Sequence, residues 1–176
     1  EEAVMTRKDG SLLLLDMRTG PGTGRLDRDD QQGSVCKEVR AFIDESEPAA
    51  AASGGKGEPG SKHLALSCSY DGSVSIWEVE TRKQLGKVDV YAKESKNQVM
   101  DVVPFPCQKR ICSCGGKGEV FVHGTVGGSW GELTEEWCYT GHAATARGVQ
   151  LTRDGGRVVS CSKDSTIHVL ALEKGS

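Results

Sequence analysis

The sequence predicts an all-β fold built from repeated, short antiparallel strands, and three observations support this. Apolar residues alternate with polar ones over short stretches, and one alignable segment occurs four times. The chain also holds 23 glycines, many of them in Asp-Gly, Gly-Gly and Gly-Ser turns. Alternation with a period of two is typical of a strand with one buried face, and turn residues between such stretches favour hairpins. A long apolar pattern with the helical period is not found in the sequence.

The repeated segment consists of a strand, a polar turn and a second strand. Its copies begin at Met5, Ser67, Ser113 and Ser160 and read MTRKDGSLLLLDM, SCSYDGSVSIWEV, SCGGKGEVFVHGT and SCSKDSTIHVLAL. The apolar residues after each turn fall on one parity, and we expect their side chains to form the buried face. They are Leu12 and Leu14, Val74 and Ile76, Val120 and Val122, and Ile167 and Val169. Self-similarity of this kind is the signature of stacked repeats.

The spacing of the turns predicts an inserted loop. The turn positions Asp9, Asp71, Lys117 and Asp164 are separated by 62, 46 and 47 residues. The first interval is longer because it contains EPAAAASGGKGEPGSK, a stretch of small residues, glycine, proline and scattered charge. Such a composition cannot bury enough apolar surface to offset the loss of chain entropy, so we place a low-complexity insertion at residues 44–62.

Further strands fit around the repeated hairpins. Residues 35–43, 99–103 and 148–152 each precede a hairpin, and the more polar residues 84–90 and 135–139 are candidate outer strands. We therefore divide the chain into four units: residues 1–23, which are incomplete, residues 24–90 with the insertion, the divergent residues 91–130, and residues 131–176.

The motifs within these units resemble the WD-repeat family. Gly141-His142 stands before the fourth hairpin, Asp71 and Asp164 occupy turns, and Trp77-Glu78 ends a third strand where the family has Trp-Asp. The resemblance implies β-propeller blades of four antiparallel strands. About four blades are present, the first incomplete, and seven is the usual number in this family. We therefore expect a larger, seven-bladed propeller, with the remaining blades supplied by the rest of the chain or by another subunit.

The resemblance also implies a hydrogen-bond chain within each blade, from His to a second-strand Ser or Thr, to the turn Asp, to the third-strand Trp. No copy has all four. The third copy keeps only Ser113, with Lys117 and His123 in the Asp and Trp positions, and Leu170 replaces Trp in the fourth. The residues expected to form this structural network are Ser67, Asp71, Trp77, His142, Ser160 and Asp164.

The family resemblance implies a non-catalytic scaffold for protein–protein interaction within a multi-subunit complex. Its partner-binding residues would be those just before the turn Asp on the propeller rim, namely Lys8, Tyr70 and Lys163. The alternative is an RNA-associated assembly factor in a ribonucleoprotein particle. Because the net charge is −3 and no basic patch occurs, we expect any contact with nucleic acid to be indirect.

Two chemical readings compete with the structural one. Ser160, His142 and Asp164 have the residue types of a hydrolase triad, but Ser160 lies inside a regular strand rather than on a nucleophile turn. Cys107, Cys112, Cys114 and His123 have the donor types of a zinc site, but Cys114 is in register with Cys68 and Cys161, which favours core packing. We also expect Trp130 and Trp137 to pack between blades rather than on a ligand. We expect no enzyme activity, cofactor or metal.

The cysteine count and hydropathy bear on location. Seven cysteines are an odd number for a disulfide framework, which favours reduced thiols in the cytoplasm or nucleus. No apolar run approaches the roughly 20 residues that a membrane-spanning helix requires, so we expect no membrane partner.

Overall fold

The chain folds into four antiparallel sheets that follow one another along the sequence. The computed structural model describes residues 2–6, 12–16, 24–26, 36–44, 62–91, 97–106 and 109–172. The first sheet has three strands: β1 Glu2–Thr6, β2 Leu12–Asp16 and β3 Gly24–Leu26. The second has four: β4 Cys36–Asp44, β5 Lys62–Ser69, β6 Ser73–Glu78 and β7 Lys83–Asp89.

The third sheet also has four strands: β8 Val99–Pro104, β9 Arg110–Gly115, β10 Val120–Val126 and β11 Ser129–Tyr139. The fourth has three: β12 Ala146–Leu151, β13 Arg157–Ser162 and β14 Ile167–Ala171. Every described element is a strand, so the all-β prediction is confirmed. Within the described ranges, no helix is long and apolar enough to span a membrane.

Each repeated segment forms a hairpin, as predicted, at β1–β2, β5–β6, β9–β10 and β13–β14. In the second and third sheets this hairpin supplies the second and third strands. By the same alignment, the described part of the first sheet contains strands two to four, and the fourth sheet contains strands one to three. The predicted insertion lies between β4 and β5, and its residues 45–61 fall outside the described residues.

The outer strands divide the chain differently from the predicted units. Gly24–Leu26 pairs with β2 and so belongs to the first sheet, although the predicted boundary lies at residue 23. Ser129–Tyr139 pairs with β10 and completes the third sheet, beyond the predicted boundary at residue 130. An outer strand is polar and lies in the sequence between two hairpins. Its residue pattern alone therefore does not indicate which of the two sheets it joins.

The core lies between the faces of successive sheets. Residues such as Leu66 and Ile76 of the second sheet pack with Val102 and Phe121 of the third in one buried cluster. A second cluster joins the third and fourth sheets, with Cys112 and Val122 packed together with Val149 and Val158. Each sheet of an interior pair thus buries a face that neither sheet could bury alone.

The burial expected from the alternation is confirmed in two described sheets and is wrong in the fourth. Val74, Ile76, Val120 and Val122 are fully buried. Ile167 and Val169, by contrast, are 70% and 59% exposed. The strand pattern is the same, but no described residue covers this face of the fourth sheet. Leu12 and Leu14 lie in β2, and their burial is outside the described part of the structure.

Candidate functional site

A buried histidine links the fourth sheet's turn to the segment that precedes β12. The side chain of His142 is fully buried, with Nε2 2.8 Å from Ser160 Oγ and Nδ1 3.3 Å from Asp164 Oδ2. A second hydroxyl, Thr166 Oγ1, lies 3.1 Å from Nδ1. Because an ionised carboxylate only accepts, Nδ1 carries a proton toward Asp164, and Nε2 and the Ser160 hydroxyl share the second hydrogen bond. The predicted set of His142, Ser160 and Asp164 is therefore brought together.

Asp164 organises the turn between β13 and β14. Its carboxylate accepts hydrogen bonds from the Thr166 hydroxyl at 2.6 Å, the Thr166 amide at 2.9 Å and the Ala143 amide at 2.8 Å. The hydroxyl of Thr166, followed by these amides and His142, holds the pKa of Asp164 well below its usual value. An ionised Asp164 thus ties the hairpin turn to the chain entering β12.

The geometry of His142, Ser160 and Asp164 matches the order of a hydrolase triad, but the surroundings favour an architectural role. Ser160 is 1% exposed and lies within β13, opposite Val149 and His168 on the flanking strands. A nucleophile needs room for a substrate carbonyl and for oxyanion donors beside it. Ser160 Oγ and the imidazole of His142 are buried and hydrogen-bond to each other, so these groups satisfy one another's buried polar atoms.

The second sheet contains a different part of the same network. Trp77 Nε1 donates to Ser67 Oγ at 2.9 Å, and both side chains are buried. Asp71 accepts from the amide and the hydroxyl of Ser73 at 3.0 and 2.6 Å, so its carboxylate orders the β5–β6 turn. Ser67 and Trp77 are therefore in direct contact, and Asp71 secures the turn that joins their strands.

The third sheet departs from this arrangement. Ser113 and His123 occupy the Ser and Trp positions and are 0% and 4% exposed. Ser113 Oγ and His123 Nδ1 have no hydrogen-bond partner among the described residues. An imidazole is shorter than an indole, so replacing Trp by His leaves both atoms unsatisfied. Burial lowers the pKa of His123, which therefore stays neutral.

The cysteines and the histidine that were weighed as zinc ligands, with core packing favoured, lie on two faces of the third sheet. Cys112 is opposite Val122 and packs toward the fourth sheet, whereas His123 is opposite Ile111, which packs toward the second. No group of three metal-binding side chains occurs within the described ranges. Burial raises the pKa of the Cys112 and Cys114 thiols, so both remain protonated core side chains. Cys107 lies outside the described residues.

The predicted rim residues can be located in two of the three turns. Tyr70 is 37% exposed just before Asp71, and Lys163 is exposed just before Asp164. The Lys163 amide donates to Thr145 O at 2.9 Å, which fixes the backbone beneath its free side chain. Lys8 lies outside the described residues. Exposed Lys117 occupies the corresponding turn of the third sheet.

Asp101 in β8 is a structural residue that sequence reasoning missed. Its Oδ1 lies 3.3 Å from Arg40 Nη2 in β4, and its Oδ2 accepts from the Val149 amide in β12 at 3.0 Å. This carboxylate therefore joins the first strands of three sheets. The signal was available, because a lone Asp within the apolar run VMDVV requires a buried partner.

Both tryptophans that were expected to pack between blades do so. Trp130 is buried, donates from Nε1 to Asp44 Oδ2 at 2.7 Å, and thereby links β11 to the end of β4. Trp137 packs against the cluster between the third and fourth sheets and stacks on Tyr139. The Asp44 partner could not be found from the sequence, because 86 residues separate it from Trp130.

Comparison with known proteins agrees with this geometry. The WD40 family, described as WD domain, G-beta repeat, matches residues 58–78 and 133–169. A comparison with curated proteins found no match. A chain in the crystal structure of the mitotic checkpoint complex is similar at a TM-score of 0.67 and 14% identity, over 98% of this chain and 48% of that one.

A second solved structure, the computationally designed Ika4 protein, has a TM-score of 0.66 and 19% identity, over 97% of this chain and 85% of that one. At these identities the two structures show the fold alone. The present chain spans about half the length of the checkpoint-complex chain. WD repeats and propeller blades in general support a scaffold for protein interaction. The matched repeats, the sheet order and the shared fold together support the blades of a WD-repeat β-propeller.

Proposed function

We propose that this chain is a non-catalytic scaffold that binds other proteins through the propeller rim, as part of a multi-subunit complex. The observation that carries the proposal is the construction of the rim turns. Asp71 and Asp164 fix two equivalent turns from within, and Tyr70 and Lys163 project beside them. A rigid backbone that presents an aromatic ring and a cation supplies contact area at a small entropic cost.

The neighbouring turn extends this surface. Lys117 is exposed at the position equivalent to the turn Asp, so two lysines and one tyrosine occur on the corresponding edges of three successive sheets. A surface of this composition favours a protein segment that carries carboxylates and an apolar side chain. Five described cysteines have free thiols, which supports our further proposal that the protein works in the cytoplasm or nucleus; they are Cys68, Cys112, Cys114, Cys138 and Cys161.

The test is affinity purification of the intact protein with quantitative mass spectrometry, comparing wild type with Tyr70→Ala and Lys163→Glu. We expect each substitution to reduce the same set of co-purifying proteins at least fivefold. Lys83→Glu makes the same charge change at an exposed position of β7 and should leave the set unchanged. Unchanged recovery with both rim variants, each shown to be folded by its circular dichroism spectrum, would refute the rim assignment.

A further inference from the structure

Three cations of the third and fourth sheets are brought together by one short segment of the chain. The residues that lead into β12 pass between the β9–β10 turn and the β13–β14 turn. The Thr145 hydroxyl donates to Gly116 O at 3.0 Å, and Thr145 O accepts from the Lys163 amide at 2.9 Å. Thr145 therefore bridges the turn that carries Lys117 and the turn that carries Lys163, and Arg147 follows it by two residues.

A β-bulge positions the third of these cations, Arg147. The residues on either side of it, Ala146 and Gly148, pair with consecutive residues of β13, so Arg147 has no partner in that strand. A bulge bends its strand locally and is a common way to re-aim a side chain. Arg147 is exposed. It therefore lies at the same end of the fourth sheet as Lys163, close to Thr145.

The three cations are exposed and are not neutralised within the described part of the chain. Lys117, Arg147 and Lys163 make no ion pair with a described residue. The two carboxylates closest in sequence to the lysines are already bound. Asp164 accepts from its own turn and from the chain entering β12, and Glu119 accepts from a tyrosine hydroxyl. This part of the surface therefore presents positive charge, although the whole chain has a net charge of −3.

The backbone that carries the three cations is held in place by further contacts. Ser162 Oγ donates to Ala144 O at 2.9 Å, and the Asp164 carboxylate accepts from the Ala143 amide at 2.8 Å. A Cβ at Gly118 would lie 2.6 Å from Ala144 O, so the third sheet's turn packs directly against the same segment. Cations on a backbone that is already ordered can bind a ligand at a smaller entropic cost.

We propose that the basic cluster, defined as Lys117, Arg147 and Lys163, binds an extended segment of a partner protein that carries several Asp or Glu residues. The proposal rests on the proposed function, because it names the chemistry of the partner at that surface and adds Arg147 to the residues that contact it. One guanidinium and two ammonium groups on separate parts of the backbone suit a row of carboxylates, whereas recognition of a single phosphate favours a group of arginines.

The surroundings of the basic cluster favour an acidic protein segment over RNA. Proteins that bind single-stranded nucleic acid combine cations with exposed aromatic rings on which the bases stack. Among the described residues, the exposed aromatic ring is that of Tyr70, which belongs to the second sheet, whereas the cluster lies on the third and fourth. The cluster thus supplies charge without a stacking platform beside it.

Binding of synthetic peptides to the intact protein tests the preference for carboxylates. Fluorescence anisotropy compares a peptide of alternating Glu and Ser with one in which Gln replaces every Glu. We expect the Glu peptide to bind about tenfold tighter or more. Its affinity should fall steeply between about 0.1 M and 1 M NaCl, because the Debye length shortens from about 10 Å to about 3 Å. Equal affinities for the two peptides would overturn the proposal, as would tighter binding of a phosphoserine peptide of the same total charge or of a uridine oligonucleotide.

Charge reversal shows where the Glu peptide binds. Arg147→Glu and Lys117→Glu should each weaken its binding about tenfold or more, and Arg147→Gln, which removes the charge without reversing it, should act in the same direction. Arg153→Glu is the matched control, because Arg153 is exposed in the β12–β13 turn, at the opposite end of β12, and should leave the affinity unchanged. Equal losses in Arg147→Glu and Arg153→Glu would mean that only the overall charge matters, and would overturn the proposal.

The same variants separate this proposal from the proposed function. Loss of co-purifying proteins in Tyr70→Ala and Lys163→Glu, with normal recovery in Arg147→Glu and Lys117→Glu and no preference for the Glu peptide, would support the rim and overturn the basic cluster. Binding of the Glu peptide through Arg147, with co-purification unaffected by Tyr70→Ala and Lys163→Glu, would support the basic cluster and refute the rim assignment.

Discussion

Single residues decide whether the buried polar atoms of each repeat find hydrogen-bond partners. The Trp77–Ser67 bond pairs the polar atoms at these positions of the second sheet, and the contacts of His142 with Ser160 and Asp164 do the same in the fourth. In the third sheet, Ser113 Oγ and His123 Nδ1 are buried and find no hydrogen-bond partner in the part of the chain that the structure describes. An unsatisfied buried polar group costs about 1–3 kcal/mol, so the third repeat gains less from its network than its neighbours do.

The buried His123 predicts lower stability in acid. Its pKa is lowered by burial in the folded protein, so between its ordinary value of 6.5 and the lowered value the unfolded chain binds more protons. The free energy of unfolding should therefore be constant above pH 7 and should fall as pH drops below about 6.5. Thermal melts from pH 8 to pH 5 measure this. A His123→Gln variant should show a smaller acid loss, and an unchanged pH profile in that variant would contradict the assignment.

The turn residue Ser165 predicts a stabilising substitution. Its φ is +68°, whereas Gly72 and Gly118 occupy the equivalent turn positions with φ of +85° and +86°. A left-handed conformation costs a non-glycine residue about 1–2 kcal/mol. Glycine avoids this cost, but part of the gain is offset because a glycine makes the unfolded chain more flexible and so loses more entropy on folding. Ser165→Gly should raise the free energy of unfolding by about 0.5–1 kcal/mol in urea denaturation. Ser165→Ala, which keeps a Cβ, is the control and should bring no such gain.

Strands and hairpins were largely predictable because their pattern is local. The turn sequences and the parity of the apolar residues placed all four hairpins, and β8 begins at Val99 as expected. The outer strands were harder, since Ser129–Tyr139 is mostly exposed and extends well beyond the predicted residues 135–139. Contacts between distant strands, such as Trp130 with Asp44, leave no local signal. Ile167 and Val169 are exposed although the pattern predicted their burial, because burial of a sheet face depends on what lies against it.

Close approach of two outer strands predicts that Gly86 cannot be replaced. A Cβ at Gly86 in β7 would overlap the backbone carbonyl of Trp130 in β11, and a carbonyl cannot turn aside as a flexible side chain would. Gly86→Ala should destabilise the protein by about 1–3 kcal/mol, the range of overpacked sites. Gly131→Ala is the matched control, because its nearest neighbours lie at 3.4 Å or more. Urea denaturation of both variants measures the difference, and equal stabilities would refute the contact.

The whole molecule is a series of stacked sheets joined near their first strands. Asp101 contacts Arg40 in the preceding sheet and the Val149 amide in the following one, and so connects three of the four sheets through one buried carboxylate. Asp101 lies opposite Cys114 in the third sheet, and the residue opposite the equivalent Cys161 in the fourth sheet is Gly148. Glycine has no side chain that could make the same connection to a further strand. Cooperative unfolding of the second, third and fourth sheets should therefore depend on Asp101.

Asp101→Asn tests this dependence. The amide keeps one acceptor oxygen but presents an NH₂ group to either Arg40 or the Val149 amide, which leaves a donor unsatisfied. We expect a loss of about 2–3 kcal/mol, in line with hydrogen bonds to charged groups, and a broader urea transition. Asp89→Asn, at an exposed position of β7, is the control and should change stability by less than about 0.5 kcal/mol. A sharp, unshifted transition in Asp101→Asn would contradict the connecting role.

The outer edge of β14 has a consequence for how this polypeptide behaves before assembly. Among the strands that the structure describes, β14 pairs with β13 along one side only, and its Ile167 and Val169 are exposed. An unprotected, aliphatic edge strand is a template for pairing with other chains. Wherever this edge of β14 is left uncovered, the polypeptide should therefore form aggregates that bind amyloid dyes.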